Sequence, residues 1–226
     1  MNTAIIFFGA PGSGKGTQAE LLRAKCGLEI IATSPLLHQV AREQGALARE
    51  IRETIERGDL VSDDNVMKLI VRELKKPLYQ EGFILDGFPR TLKQAILLEE
   101  RELKMIVFSL KVPEELIICR LSSRRVHPSS GRIYNLFYNP PQIDGLDDIT
   151  GEPLVQREDD KQSVILRRLA VYQEITAGIF HHWNLLAREN DNIRCYELDG
   201  SLSAQEIHDQ ILEIVVKNNI KWSCPR

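Results

Sequence analysis

The chain has 226 residues, of which 43% are hydrophobic and 27% charged, and it is long enough for one domain with an insertion or for two small domains. Its formal net charge of -3 gives no reason, from bulk electrostatics, to expect a nucleic-acid or membrane partner. The cysteines are scattered and form no C-x-x-C pair, so the sequence favours neither a zinc knuckle nor a disulfide framework. They are Cys26, Cys119, Cys195 and Cys224.

The N-terminal stretch MNTAIIFFGAPG contains a short apolar run with no basic region before it. Such a run is too short for a signal peptide or a membrane span, and we interpret it as a buried strand. A cytoplasmic protein is therefore expected, and the scattered cysteines agree with a reducing compartment.

Apolar runs alternate with amphipathic segments along the chain. This alternation predicts an α/β fold, in which a parallel sheet carries helices on its faces. The predicted strands are residues 4–8, 29–32, 82–85, 105–110 and 193–198. The predicted helices are residues 18–25, 36–42, 46–57, 66–74 after a cap at Asp63, 114–124 and 164–186.

Residues 126–160 interrupt the alternation, because they are rich in Gly, Pro, Asn and Asp and show no helical period. A stretch this long without a helix is usually functional in a compact domain, so we expect a lid or a small inserted subdomain. A disordered linker is the less favoured alternative, because the segment carries apolar side chains that a linker would lack. These are Ile133, Tyr134, Phe137, Tyr138 and Ile149.

The sequence GAPGSGKGT, residues 9–17, follows the first predicted strand and opens a helical pattern. Its glycines allow a tight turn that points backbone N–H groups at an anion, to which Lys15 and the helix start add positive charge. The spacing is that of a P-loop, although Gly16 follows the lysine and the hydroxyl comes one place later, at Thr17. A flexible surface turn is the disfavoured alternative.

The third predicted strand ends in LDGFPRT, residues 85–91, at the carboxyl edge where open α/β sheets bind ligands. Asp86 can hold magnesium-bound water, Gly87 permits close backbone approach, and the Arg90 guanidinium can bind a phosphate. Taken singly, Asp86 could be a helix cap and Arg90 a solvated surface charge. Their position after a P-loop favours the functional interpretation.

Together, GAPGSGKGT, LDGFPRT, RRVHPSSGRIY and DDITGEP…QREDD resemble the adenylate kinase family in its long-lid form, over nearly the whole chain. The resemblance implies a P-loop NTPase fold with a five-stranded parallel sheet, a core of residues 1–121 and 161–226, a helical monophosphate-binding arm at 33–63 and a lid at 122–160. It further implies an ATP:AMP phosphotransferase that catalyses Mg-ATP + AMP ⇌ 2 ADP, and a monomer. An acceptor that is already a phosphate anion needs no general base, so positioning and cationic stabilisation should dominate catalysis.

The resemblance also assigns site residues. The catalytic set is Lys15, Arg90, Arg124, Arg157 and Arg168. The ATP-binding set is Gly12, Ser13, Gly14, Lys15, Gly16, Thr17, Arg120 and Arg124. The AMP-binding set is Thr33, His38, Leu60, Val61, Gly87, Arg90, Gln94, Arg157 and Arg168, and Mg²⁺ is expected at Asp86 through water.

The arginines could instead have a purely structural or surface role, in which they do not bind nucleotide. Arg120 and Arg124, four apart on one predicted helix, would form an exposed basic stripe, and Arg168 would pair with an acidic neighbour. The adjacent Arg125 is assigned to the surface or to structure in either case.

The lid lacks the four cysteines that bind zinc in some relatives. The matching places are His127, Ser130, Asp147 and Thr150, which resemble the family's alternative, a hydrogen-bonded cluster. One His, one Asp and two hydroxyls are a poor ligand set for structural zinc, so we expect none, with Mg²⁺ the sole metal. His127 is then a structural residue.

The arm departs from the family pattern. Thr-Gly-Asp-x-x-Arg is replaced by TSPLLH, residues 33–38, in which Ser34 and Pro35 should cap and begin a helix and His38 stands where an arginine is expected. Because histidine is mostly neutral near pH 7, the acceptor phosphate should be held more weakly.

Three functions remain open. An active adenylate kinase with an altered arm is favoured over a poorly active nucleotide-binding paralogue and over a kinase for another monophosphate. The sequence of the tail, residues 218–226, indicates no role.

Overall fold

The computed structural model describes residues 2–218, and the remaining tail residues 219–226, with Cys224, lie outside the described part. Within residues 2–218 the chain forms a five-stranded sheet in the order β2-β3-β1-β4-β7 and a separate two-stranded sheet, β5-β6. The large sheet comprises β1 (Thr3–Gly9), β2 (Glu29–Ala32), β3 (Phe83–Asp86), β4 (Lys104–Lys111) and β7 (Ile193–Asp199). The small sheet comprises β5 (Arg124–Val126) and β6 (Ile133–Asn135).

All neighbours in the large sheet run parallel, and β1 lies at its centre. Ile5 aligns with Ile84 of β3 on one side and with Ile106 of β4 on the other. Buried apolar runs of this kind are typical of a parallel sheet that is covered on both faces. The predicted α/β fold with a five-stranded parallel sheet is confirmed.

Helices flank the sheet. They are α1 (Lys15–Cys26), α2 (Thr33–Arg42), α3 (Ala46–Arg57), α4 (Asp63–Leu74), α5 (Leu92–Glu99), α6 (Glu114–Ser122), α7 (Gln162–Val171), α8 (Gly178–Leu186) and α9 (Ala204–Lys217). Short 3-10 turns span Pro77–Tyr79 and Glu158–Asp160, and a π-helical turn spans Tyr172–Thr176. In the part of the chain that the structure describes, no helix has the length and apolarity needed to cross a bilayer.

Alternate side chains of β1 enter two hydrophobic cores. Ile5 and Phe7 pack with residues of α1 and α9, whereas Ile6 and Phe8 pack with residues of α4, α5 and α8. Side chains on a strand alternate between the two faces of the sheet, so one strand supports both layers. Parallel pairing brings the carboxyl ends of β1 and β3 to the same edge.

The helix predicted at 114–124 is too long by two residues. Helix α6 ends at Ser122, and Arg124 begins β5. Side chains satisfy the last carbonyls of the helix, because the Ser123 hydroxyl donates to the Cys119 carbonyl at 2.6 Å and the Asn135 side chain donates to the Arg120 carbonyl at 2.9 Å. Arg120 and Arg124 therefore do not share a helix face, and the alternative of a basic stripe is wrong.

The helix predicted at 164–186 is interrupted. It begins at Gln162 and contains a π-helical turn, in which the Ala177 N–H donates to the Tyr172 carbonyl at 2.8 Å. Such turns insert one extra residue and are frequent at functional sites. Here the turn carries Thr176, whose hydroxyl donates to the Arg90 carbonyl at 2.8 Å.

Two predicted helix starts are shifted. Helix α2 begins at Thr33 after Ala32, so Ser34 is not the cap, and Pro35 lies in the first turn, where backbone N–H groups have no helical partner. Helix α4 follows Ser62, so Asp63 is its first residue. The Asp63 carboxylate instead accepts hydrogen bonds from side chains of α5 and its cap.

Candidate active site

The P-loop joins β1 to α1. Gly12 and Gly14 have φ angles of 78° and 99°, and a Cβ at Gly9 would lie 2.7 Å from the Leu110 carbonyl oxygen, so these positions need glycine. Lys15 donates to the carbonyls of Gly9 and Ala10 at 2.9 and 2.8 Å. Burial lowers the pKa of Lys15 to about 8, against the attraction of Asp86, so the ammonium stays mostly protonated at pH 7.

Asp86 ends β3 beside this loop. Its Oδ2 would lie 3.2 Å from a Cβ built on Gly16, so the carboxylate reaches the start of α1. Burial raises the pKa of Asp86, and the neighbouring Lys15 and Arg90 oppose that shift. Carboxylate and hydroxyl oxygens are the hard donors that Mg²⁺ prefers, so Asp86 and Thr17, which line the same cleft, suit that ion.

Arg90 is fixed at the other side of Asp86. Its Nε donates to the Gly87 carbonyl at 2.9 Å, and its backbone N–H donates to the Gln94 side chain at 2.8 Å. Gly87 has a φ of 75°, and a Cβ there would lie 3.1 Å from Arg90 Nη2. The Gly87 carbonyl thus orients the guanidinium, and the Thr176 hydroxyl donates to the backbone carbonyl of Arg90 at 2.8 Å.

Three further arginines converge on two buried carboxylates. Arg124 makes two hydrogen bonds to Asp160, at 2.7 and 2.6 Å, and Arg157 makes two to Asp159, at 2.8 and 2.7 Å. Arg168 lies 3.1 Å from Asp159 and 3.5 Å from Asp160. Three cations thus share two anions, which leaves a cluster with net positive charge.

Arg168 therefore pairs with acidic neighbours, as the structural alternative predicted. It does so within this cluster of arginines and not as an isolated ion pair at the surface. Burial lowers its pKa to about 10, which leaves the guanidinium charged. Sequence reasoning gave no role to Asp159 and Asp160. The available signal was their position directly after Arg157, within the QREDD motif.

Arg120 lies apart from the other arginines. Its Nη1 donates to the Gly200 carbonyl at 2.9 Å, and its Cζ lies 5.6 Å from the ring centroid of Tyr138. That distance suits a cation–π contact. Sequence reasoning noted Tyr138 only as an apolar residue of the lid, because nothing local indicates its contact with α6.

Most predicted site residues line one cleft between the P-loop, β3 and the arm. They are Gly12, Gly14, Lys15, Gly16, Thr17, His38, Leu60, Val61, Asp86, Gly87, Arg90 and Arg168. Arg124 and Arg157 adjoin it through the carboxylate pair. Ser13, Thr33 and Gln94 are buried beside it, and the hydroxyls of Ser13 and Thr33 have no hydrogen-bond partner among residues 2–218.

His38 faces the lid end of the cleft. Its Nε2 contacts Nη2 of Arg157, which also lies 3.4 Å from the Ser34 hydroxyl. Burial, and then the Arg157 charge, lower the pKa of His38 to about 4. The side chain is therefore neutral near pH 7, as the sequence predicted.

The four predicted lid residues are in mutual contact. His127 Nδ1 lies 2.7 Å from the Ser130 hydroxyl, and Thr150 donates to Asp147 at 2.9 Å. Arg132, Tyr134 and Glu152 complete the network, although the sequence indicated Tyr134 only as an apolar residue of the lid and gave no role to Arg132 or Glu152. Hydrogen bonds, above all the one from Arg132, hold the pKa of Asp147 well below its usual range. In the described residues no group of three or more His, Cys, Asp or Glu side chains could hold a metal ion. The expected absence of zinc stays a prediction.

A P-loop that faces Asp86 and a cluster of arginines, in a cleft that residues of α2 and α3 also line, defines a P-loop phosphotransferase for nucleotides. The sequence model of the family described as adenylate kinase matches residues 7–187. An adenylate kinase of Hamiltonella defensa subsp. Acyrthosiphon pisum (strain 5AT) is 39% identical over 212 residues, which cover 93% of this chain and 98% of that relative. The chain belongs to the adenylate kinase family, and the predicted resemblance and phosphotransferase class are confirmed.

Proposed function

We propose that the protein transfers the terminal phosphoryl group of Mg-ATP to AMP, giving two ADP. The observation that carries the proposal is the convergence of Lys15, Arg90 and Arg168 on one cleft, with Arg124 and Arg157 tied to it through Asp159 and Asp160. Two polyanions repel each other, so a catalyst for this reaction must supply positive charge between them.

Each end of the cleft has its own task. The backbone N–H groups of the P-loop and Lys15 hold the donor phosphates. Arg90 holds the acceptor phosphate, and Arg124, Arg157 and Arg168 stabilise the charge of the group in transfer. The acceptor oxygen is already anionic and attacks without a general base. Closure of the lid, residues 122–160, excludes water as a competing acceptor.

Magnesium fits the oxygen donors beside the P-loop. Asp86 would hold the ion through water, and Thr17 offers a hydroxyl at the start of the same helix. The ion would neutralise part of the phosphate charge when bound. Burial raises the pKa of the Asp86 carboxyl, and the positive charges of Lys15 and Arg90 oppose that shift.

The two bases lie in different surroundings. The donor base stacks at Arg120, next to Tyr138, and the acceptor base packs against Leu60 and Val61 of the arm. Thr33 has a buried hydroxyl without a partner among residues 2–218, which is a polar group that a base could satisfy. AMP is the favoured acceptor because these positions match those that the family uses around adenine.

Two alternatives are separated by one assay. ADP formation from Mg-ATP is measured with AMP, GMP, CMP and UMP in turn, under saturating donor. Turnover with AMP supports the proposal, and preferential turnover with another acceptor means a different monophosphate kinase. Tight ATP binding without turnover on any acceptor means a nucleotide-binding paralogue, which the changed arm sequence TSPLLH favours more than any other feature.

We also propose that the acceptor phosphate is held more weakly than the family pattern implies. His38 is neutral and occupies the place of an arginine, so one charge-assisted hydrogen bond to the phosphate is missing. Such a bond contributes about 1.5–3 kcal/mol, which corresponds to a roughly 10- to 100-fold higher Michaelis constant for AMP. The variant His38→Arg should lower that constant.

The remaining expectations complete the proposal. The protein acts as a monomer in the cytoplasm, with ATP, AMP and ADP as partners and without nucleic acid, membrane or zinc. Size-exclusion chromatography with light scattering tests the monomer, and metal analysis of protein purified without added metal tests the absence of zinc. A dimer or stoichiometric zinc would contradict the respective statement.

A further inference from the structure

The replacement of an arginine by His38 adds a contact of its own, because the His38 ring contacts the guanidinium of Arg157 at the end of the lid. Arg157 lies 119 positions away in sequence, directly before the 3-10 turn Glu158–Asp160. Its Nη2 contacts His38 Nε2 and lies 3.4 Å from the Ser34 hydroxyl. Arg157 therefore joins helix α2 of the arm to the lid end.

On its other side, Arg157 is held by Asp159 through two hydrogen bonds at 2.8 and 2.7 Å. Asp159 is shared, because Arg168 lies 3.1 Å from the same carboxylate oxygen that Arg157 Nη2 contacts. One carboxylate thus serves two guanidiniums. A second acceptor for Arg157 fixes its direction better than the shared carboxylate alone, and His38 supplies one.

Neutral histidine can take this role and arginine cannot, since arginine has N–H donors and no acceptor. Burial and the positive charge of Arg157 lower the pKa of His38 to about 4. Asp159 opposes the shift, whereas Arg168 and Arg42 add to it. At pH 7 the ring carries one proton, and Nε2 accepts when that proton is on Nδ1.

We propose that His38 is a positioning residue of the transfer site, whose Nε2 accepts an N–H of Arg157 and, with Asp159 and Ser34, holds that guanidinium at the acceptor end of the cleft. The proposal rests on the proposed function, since it assigns Arg157 to the phosphoryl group in transfer. The substitution in the arm thus exchanges a direct phosphate contact for a firmer orientation of a lid arginine.

Steady-state kinetics of four variants and one control test the proposal, with AMP varied at saturating Mg-ATP. His38→Ala should lower kcat about tenfold, because it removes one hydrogen bond to a charged group. His38→Gln keeps an acceptor oxygen on a side chain of similar reach and should retain most of kcat. Arg157→Ala should lower kcat further, and adding His38→Ala to it should cause no additional loss. Gln39→Ala, an exposed neighbour on α2, is the matched control and should behave as the wild type.

Three kinetic outcomes would overturn the proposal. The first is full multiplication of the His38→Ala and Arg157→Ala effects, which means that the two residues act independently. The second is a His38→Gln variant that is as slow as His38→Ala although folded, as judged by circular dichroism and melting temperature. The third is an effect of His38→Ala on the Michaelis constant for AMP alone.

A measurement without catalysis separates this proposal from the proposed function. Imidazole ¹⁵N spectra at pH 7 should show His38 with an unprotonated Nε2, and Arg157→Ala should raise the pKa of His38, because one nearby positive charge is gone. A protonated Nε2 in the wild type, or an unchanged pKa in Arg157→Ala, would overturn the positioning role even if the enzyme turns over AMP. The expected spectra would support it even if no acceptor is phosphorylated.

Discussion

The carboxylate of Asp160 anchors Arg124, and its removal tests whether the arginine cluster depends on this pairing. The Asp160 side chain is 0% exposed and that of Arg124 16% exposed, with contacts at 2.6 and 2.7 Å, so the pair is shielded from solvent. Asp160→Asn keeps the shape but replaces one acceptor oxygen by a donor and removes the charge. Loss of one charge-assisted bond costs about 1.5–3 kcal/mol, and stranding a buried charge raises this to about 3–4 kcal/mol.

For a chain of this length, about 1 kcal/mol shifts the melting temperature by roughly 2–4 °C, so Asp160→Asn should melt about 6–16 °C below the wild type. Thermal unfolding followed by circular dichroism measures the shift, and kcat should fall as Arg124 loses its orientation. Asp191→Asn, at an exposed position, is the control and should change little. A melting temperature for Asp160→Asn that equals that of the control would refute the reasoning.

Three further predictions follow from single contacts. Tyr138→Ala should raise the Michaelis constant for ATP and not that for AMP, whereas Tyr138→Phe should resemble the wild type; equal effects on both substrates would argue against a donor-base role. Gly58→Ala places a side chain at a φ of 78° and 3.0 Å from Arg168 Cγ, so urea unfolding should show a loss of about 1–2 kcal/mol, and kcat should fall. Because the folded state lowers the pKa of His38 from 6.5 to about 4, the unfolded chain binds more protons between these values, and stability should drop as pH falls through that window. His38→Gln should lose less stability over the same window, and parallel curves for the two proteins would contradict the assignment.

The sheet and the P-loop were predictable because their signals are local. Each strand is a short apolar run between turn residues, and the loop from Gly9 to Thr17 has a spacing that only a tight phosphate-binding turn requires. The site arginines came from the family resemblance and from no periodicity. The fold brings the edges of β1 and β3 together and so places Lys15 near Asp86 and Arg90, whereas Arg124, Arg157 and Arg168 come from β5, the lid end and α7.

What the sequence did not reveal depends on distant contacts. The helical pattern runs through residues 172–176, and the π-helical turn there is associated with a contact between Thr176 and the Arg90 carbonyl, 86 positions away. In the sequence, Asp159 and Asp160 are indistinguishable from solvated surface charges, whereas the structure shows that their carboxylates bind three arginines. The partner of His38 likewise comes from the far end of the lid.

The most direct test of the account is the dependence of ADP formation on AMP concentration, for the wild type and His38→Arg at saturating Mg-ATP. The account predicts turnover by both proteins and a Michaelis constant for AMP that is roughly 10- to 100-fold lower in His38→Arg, because the added guanidinium supplies the missing phosphate contact. No ADP formation by the wild type, or the same constant for both proteins, would contradict it.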